Sequence, residues 1–467
     1  MEENRLITAP IPGLIREIAV PVSIGMLFNT LYNVVDTWFA GMVSTEALAA
    51  LGVSLPVFII MVSFGSGLGI GAKALIGDAL GRGDKNAASE YAVQTIGFSL
   101  CLSLLLTVLG LKFSPFLFRV MGAEESWLPI CLEYMDILFY SAPLFFFVYM
   151  LTAFLNALGL TRIFRNFLII GFCLNVILDP WFIFGGAGVP AMGVSGIALA
   201  TVLVQAVGVV YLGGRVRQTG LIRPGAWRHW RPAPPAWKNI AMQGLPAGLN
   251  TMSIALGVFL IAHFTGQFGK TALAAYGVGM RVEQIVLLPV IGLNTTVLTL
   301  TAQNFGAGKP ERVRAVLKIS LWWGGWIMAA GTAAVWFGAP FFMKIFSDDP
   351  EVIAIGIGYL RVDAFVLYAY VILFVSVAGL QGLRRPIFPL WIGLGRQIIA
   401  PWAVFHVIVN IWGKGISGIW WGIFGITWAA ALITWFYARH AAASIPAPGV
   451  PPLPVTAAPR HTRENEP

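Results

Sequence analysis

The chain has 467 residues, of which 58% are hydrophobic and 11% charged, and its mean hydropathy is +0.79. An ordinary soluble domain carries roughly 25% charged residues, so no soluble fold could hide this much apolar surface. The net charge of +9 therefore sits on a membrane protein, and the three cysteines (Cys101, Cys131, Cys173), all in apolar stretches, are too few for a disulfide framework.

A spanning helix needs about 20 mostly apolar residues. The chain offers twelve such stretches: 14–41, 47–72, 88–111, 127–156, 164–184, 191–213, 239–264, 271–300, 314–338, 352–380, 387–410 and 415–438. They are continuous rather than alternating, which excludes strands as a general solution. The first is longer than a signal-peptide core and has no cleavage site, so it reads as a span. In the second, Gly65-Ser66-Gly67-Leu68-Gly69-Ile70-Gly71 mimics a nucleotide-binding loop. No strand precedes it, and close helix packing is the expected role. Between spans six and seven, Gly214–Lys238 holds six cations, four prolines and no acid, the composition of a solvated linker near anionic headgroups. Asp348-Asp349-Pro350 reads as a helix start, and the tail after His440, rich in Pro and Ala, as disordered.

The second half repeats the first. Ala47-Leu48-Ala49-Ala50-Leu51-Gly52-Val53 returns as Ala272-Leu273-Ala274-Ala275-Tyr276-Gly277-Val278, and the same displacement carries Pro21 onto Pro246, Gly41 onto Gly266, Gly81 onto Gly306 and Gly83 onto Gly308. Gly193-Val194-Ser195-Gly196-Ile197 returns as Gly415-Ile416-Ser417-Gly418-Ile419. The expected fold is all-α and integral to the membrane: twelve transmembrane helices in two pseudo-symmetric six-helix bundles, with the substrate site between them. The division expected is 10–214 for the N-lobe, 215–238 for the basic linker, 239–440 for the C-lobe and 441–467 for the disordered tail.

Lys and Arg set the orientation. Loops after even-numbered spans hold Lys73, Arg82, Lys85, Arg162, Arg165, Arg215, Arg217, Arg223, Arg228, Arg231, Lys238, Lys309, Arg312, Arg314, Lys318, Arg384 and Arg385. Those after odd-numbered spans hold only Lys112, Arg119, Lys270, Lys344 and Lys414. The bias puts both termini in the cytoplasm and makes the net charge a topology signal. A nucleic-acid partner is not expected, because the charge is spread over separate loops.

Ionisable residues inside spans are costly and are functional candidates by default. Asp36 lies in the outer half of span one, and its repeat counterpart is Ile261, so the acid is peculiar to the first half. Asn175 and Asp179, four apart on span five, share one helix face. Pro180 follows directly, so Asp179 can also be a helix-end carboxylate before a turn; Asp36 can likewise be one near the headgroups. Thr201 on span six reaches the same depth, although a lone Thr in a span usually bonds its own helix. Two carboxylates, an amide and a hydroxyl in one bundle suit a proton or a hard cation such as Na⁺, which Asp36 and Asp179 would hold. In the second half, Arg281 and Glu283 on span eight point to different faces. With Asp363 on span ten, they are candidates for substrate contact or secondary coupling, or for structural pairing with neighbouring helices. His263 reads as an interfacial histidine. The chain carries no phosphate loop, zinc-type His pair or nucleophile triad spacing, so neither an enzyme nor a bound cofactor is expected.

The stretches Pro21 to Gly41, Ala47 to Ser54, Gly81-Arg82-Gly83, Asn175 to Pro180, Gly193 to Thr201 and Gln303-Asn304-Phe305-Gly306-Ala307-Gly308, in that order and within the repeat, resemble the multidrug and toxic compound extrusion (MATE) transporters over roughly residues 10–440. The resemblance implies two six-helix lobes around a central cavity and exchange of H⁺ or Na⁺ for cationic or amphipathic organic compounds. It implies that Asp36, Asn175, Asp179 and Thr201 match an N-lobe cation site described for part of the family. Some members carry C-lobe acids on spans seven and ten; here span seven has none, and Tyr370 stands at the span-ten position, which shifts weight to N-lobe coupling. A flippase for a lipid-linked precursor is the alternative within the broader superfamily, and an integral-membrane enzyme acting on lipids the alternative outside it. A flippase would line its cavity with several cations, and the enzyme would need clustered metal-binding carboxylates. The expected setting is a plasma membrane, with small organic substrates and membrane lipid as partners of a monomer.

Overall fold

The computed structural model describes residues 4–445, except 122–124, 126, 224 and 227–229. Its seventeen α-helices are α1 Arg5–Thr8, α2 Ile11–Val43, α3 Thr45–Gly81, α4 Lys85–Val120, α5 Leu128–Tyr140, α6 Ala142–Ala157, α7 Thr161–Phe184, α8 Val194–Thr219, α9 Pro234–Gly266, α10 Lys270–Val286, α11 Leu288–Gly306, α12 Pro310–Phe346, α13 Pro350–Asp363, α14 Leu367–Gly382, α15 Ile387–Leu394, α16 Ala400–His406 and α17 Ile416–Ala443. Two π-helical turns, Gly395–Ile399 and Val407–Ile411, flank α16. Among the described residues, nine helices or helical runs cross a bilayer thickness unaided, and three bent pairs complete the twelve spans.

The bends fall in spans four, eight and ten, where α5 meets α6 at 49°, α10 meets α11 at 48° and α13 meets α14 at 50°. Pro143 and Pro289 occupy the first turns of α6 and α11. A proline there removes a backbone donor and its ring crowds the carbonyl four residues back, so the preceding helix stops. No proline stands between α13 and α14; the turn runs through Ala364, Phe365 and Val366.

Helix ends follow local chemistry. Ser44 caps α3 by accepting from the Ala47 amide, Asp84 caps α4 through Ala87, and Asp349 caps α13 through Glu351 and Val352, each satisfying a first-turn N–H that has no helical partner. The repeat-related Gly83 (φ 76°) and Gly308 (φ 64°) end α3 and α11 in the left-handed conformation, which glycine adopts without steric cost.

Several expected boundaries shift. α8 and α9 extend to Thr219 and from Pro234, so the linker between lobes is shorter than 215–238, and Arg228 lies outside the described residues. The described part of the linker packs on α4, where the Arg223 amide donates to Ser89 Oγ at 2.9 Å and Gln94 Nε2 to the Arg231 carbonyl at 3.0 Å. α17 continues to Ala443, so 441–443 belong to the last helix, and residues 446–467 lie outside the described part. Lys73 is not in a loop: it is buried within α3.

The lobes meet in the half of the molecule that holds the termini. Gly67 and Gly71 of α3 press on Gly248 and Gly244 of α9, close helix packing of the kind small residues allow. The repeat-related Gly81 and Gly306 make a reciprocal contact: a Cβ on Gly81 would run into the Gln303 carbonyl, and one on Gly306 into that of Asp78. Leu14, Ile15 and Ile18 of α2 share a buried cluster with Val290, Leu293 and Val297 of α11. In the opposite half the facing helices carry exposed apolar residues, among them Leu48 and Leu55 of α3 and Leu256 and Phe259 of α9. The close contacts between the two bundles thus gather at the termini side.

Candidate functional site

Asp36, Asn175, Asp179 and Thr201 come together between α2, α7 and α8. Asn175 is fully buried, and its Nδ2 donates at 2.8 Å to Asp36 Oδ1 and at 3.0 Å to Asp179 Oδ1. Asp179 is also fully buried, with Oδ2 lacking a hydrogen-bond partner. α7 continues through Pro180 to Phe184, so Asp179 is not the helix-end carboxylate that its proline suggests. Asp36 is half-buried, well before the end of α2 at Val43.

Thr201 does not simply bond its own helix: Tyr32 Oη donates to its Oγ1 at 3.0 Å. Tyr32 precedes Asp36 by one helical turn, so it shares the inward face of α2. Tyr134 of α5 approaches both carboxyls and packs with Phe39, Ala40, Ile183 and Ile197. Sequence reasoning passed over both tyrosines, although the spacing of Tyr32 and Asp36 was a usable signal. Phe28 and Phe172, edge-to-face at 5.6 Å, hold α2 against α7 one level below.

The chemistry follows from the donor count. Two carboxyl groups, close enough to hydrogen-bond each other once one carries a proton, have one amide donor between them, and Asp179 Oδ2 receives none. Buried anionic oxygens without donors are costly, so the cluster is short of positive charge. A proton on one carboxyl, or a hard cation among the oxygens, supplies it.

The second half builds a separate cluster. Tyr359 Oη donates to Glu283 Oε2 at 2.8 Å. Asp363, one turn beyond Tyr359, is buried with neither carboxyl oxygen hydrogen-bonded and lies in the field of Glu283. Tyr276, Tyr359 and Trp420 pack around it with ring centroids 4.9–6.1 Å apart. Arg396 sits over the Tyr370 ring, 5.7 Å from its centroid. Glu283 and Asp363 are thus brought together from α10 and α13. Arg281 is not: it is exposed and in no ion pair among the described residues. His263 is exposed, edge-on to Phe264.

A third constellation closes the termini side and was missed entirely. Asp78 of α3 pairs with Arg384, beyond α14, at 3.2 Å and with Arg82 at 3.0 Å. Gln303 Nε2 donates to the Ala157 carbonyl at 2.6 Å, and Thr299 Oγ1 to that of Asn156 at 3.1 Å. The N-terminal segment adds a strap: Lys309 Nζ donates to the Ile7 carbonyl at 2.9 Å and Arg312 Nη2 to that of Ala9 at 2.8 Å.

Twelve spans in two repeated lobes, with buried ionisable clusters inside each lobe, define the class of two-lobed membrane transporters. A sequence model of the MatE family matches residues 21–181 and again 246–408, one match for each half. The chain belongs to the MatE family, the multidrug and toxic compound extrusion transporters. It is 28% identical to the FAD transporter of Shewanella oneidensis, over 85% of this chain and 88% of that one. It is 25% identical to the multidrug export protein MepA of Staphylococcus haemolyticus, over 87% and 88%. Among solved structures, a MATE in the straight conformation superposes with a TM-score of 0.88 at 24% identity, covering 95% of this chain and 99% of that one. An outward-facing multidrug resistance MATE transporter of the MOP superfamily gives 0.87, with the same identity and coverage. The protein is a multi-pass membrane transporter for small molecules.

Proposed function

We propose that the protein is a secondary antiporter of the plasma membrane that exchanges H⁺ or Na⁺ for cationic or amphipathic organic compounds. It acts as a monomer with both termini in the cytoplasm. The observation that carries the reading is Asn175, whose single amide group donates to both Asp36 and Asp179 across the α2–α7 interface. In this reading Asp36, Asn175, Asp179 and Thr201 hold the coupling ion. A proton on Asp36, or Na⁺ between Asp36 and Asp179, replaces the Asn175 contact and loosens α2 from α7. α2 also carries the lobe contact at the termini side, where Ala19 and Ser23 lie under Gly292 of α11. A change at Asp36 therefore has a mechanical route to the closure. A coupling ion biases two conformations only through different affinity for them, and a site spanning two helices that can part has that property. Glu283, with Asp363, contacts substrate in the other lobe; Arg281 stands apart.

The test is efflux of a fluorescent organic cation from vesicles with the purified protein, under an imposed pH or Na⁺ gradient, with FAD as comparator cargo. Asp36→Asn should abolish gradient-driven export while leaving substrate binding and insertion intact, because the amide keeps the shape and loses the charge. Undiminished export by this variant would place the driving ion elsewhere, with Glu283 and Asp363 next in line. Gradient-independent movement of a lipid-linked precursor, and not of the cation, would favour the flippase.

A further inference from the structure

Spans eleven and twelve touch near the start of α17, where a Cβ on Gly418 would stand 2.6 Å from the Ile408 side chain and one on Gly422 2.8 Å from Phe405. Beside that contact they leave an open groove. In the first half, Gly196 of α8 lies so near α7 that a Cβ there would stand 2.7 Å from the Phe182 carbonyl carbon, and one on Gly171 of α7 would stand 3.1 Å from Val204. In the second half, the equivalent helices enclose a groove of about 900 Å³, near the top of the roughly 300–1,000 Å³ range of ligand cavities. Its walls include Trp391, Gly395, Arg396 and Ile399 from one side, and Trp421 and Gly425 from the other. A Cβ on Gly395 or Gly425 would meet nothing within 4 Å, so these glycines face the open space.

The distortion of span eleven makes the opening. Its two π turns flank Pro401, which cannot donate and crowds the carbonyl four residues back. Single π turns inside helices are frequent at functional sites. The groove opens on the side of span eleven turned away from α9. Gly393 and Gln397 turn to α9, against Asn250 and Gly257, and Gly395 and Ile399 lie on the opposite face. Trp391 is 65% exposed and Trp421 57%.

One end of the groove carries a cation. Lys414 lines its mouth beside Trp412 and Ser417, is exposed, and is in no ion pair among the described residues. Arg396 is already engaged with Tyr370. From Ser417 to Ile433, both lining, α17 spans roughly 24 Å at 1.5 Å per residue, most of a hydrocarbon core of about 30 Å. Tryptophan belongs at the headgroup level, and a basic residue there attracts anionic lipid.

We infer that this groove is a binding site for an anionic phospholipid, its phosphate on Lys414 and an acyl chain lying along α17 past Gly425. The lipid supplies packing along the part of the interface that the two helices leave open.

Native mass spectrometry of the full-length protein in detergent tests this, with phosphatidylglycerol and phosphatidylcholine of identical chains as probes. One phosphatidylglycerol should be retained about fivefold better than phosphatidylcholine, the value of one basic residue near a headgroup, and Lys414→Gln should erase that preference. Gly425→Leu should fill the groove and strip both lipids, and Gly395→Leu should do so from the opposite wall, so a folding failure in one leaves the other. Thermal melting in detergent confirms that each variant is folded. The proposal is overturned if folded Gly425→Leu and Gly395→Leu proteins keep phosphatidylglycerol, if the parent shows no headgroup preference, or if a fluorescent organic cation displaces the lipid competitively.

Discussion

Removing Arg384 should tip the protein away from the conformation closed at the termini side. Its guanidinium reaches Asp78 Oδ2 at 3.2 Å across the lobe interface, with side chains 17% and 3% exposed, so water screens the pair little. Arg82 also holds Asp78, at 3.0 Å, but it lies four residues away on the same helical run and is 41% exposed. It stays with Asp78 whether or not the lobes part, so only Arg384 discriminates between the two states. A hydrogen bond between charged groups contributes about 1.5–3 kcal/mol, so losing it should shift the ratio of closed to parted lobes by roughly 10- to 150-fold. Arg384 has φ 60°, a region Asn tolerates better than Ala, so Arg384→Asn removes the contact with little backbone penalty. Spin labels at the exposed Lys85 and Glu311, one per lobe, report the separation. The expected outcome is a second, longer population in the Arg384→Asn protein. A single distance identical to the parent's, with and without substrate, would refute the assignment of this pair as a lobe closure.

Gly81→Ala and Gly306→Ala should act alike, because each places a Cβ against a carbonyl of the other lobe; both should lengthen the same label distance, and opposite effects would contradict the pseudo-symmetry. Tyr32→Phe deletes the bond to Thr201 and should cost about 0.5–1.5 kcal/mol, seen as a lower melting temperature with export retained; complete loss of export would give Tyr32 a direct role. Glu283→Gln should weaken substrate affinity more than ion coupling, measured by cation binding against the gradient dependence of efflux.

The twelve spans and the duplication were legible because both depend on long-range regularity: continuous apolar runs and a displacement that carries one motif onto another. The N-lobe cluster was legible in part because ionisable residues are rare within spans, so Asp36 and Asp179 stand out against their background. Its tyrosines were not, since a Tyr in an apolar run is unremarked until the fold places its hydroxyl. The same spacing recurs in Tyr359 and Asp363, one turn apart as Tyr32 and Asp36 are. Asp78 and Arg384 were hidden for another reason. Each sits at a helix end among loop residues, where a charge carries no surprise, and their meeting depends on how two lobes dock. The π turns of span eleven are equally silent in composition. Pro401 announces a disturbance, but not whether it kinks the helix or adds a residue to a turn.

The repeat makes the differences between the lobes informative. Helices duplicated in register should carry polar groups at equivalent places, and here they do not. Asp36 faces Ile261 across the repeat, and the first half answers with a carboxylate–amide cluster on spans one and five. The second half puts its acids on spans eight and ten, beside tyrosines and Arg396. What remains symmetric is the termini-side contact, where Gly81 and Gly306 press reciprocally on the facing helix. A shared, symmetric closure with unlike clusters behind it is the arrangement expected if both lobes move about one contact while only one answers to the driving ion. In the proposed mechanism an ion bound at Asp36 would act on α2, whose first turns reach the C-lobe core through Leu14, Ile15 and Ile18, and the second cluster would be free to diverge with the cargo.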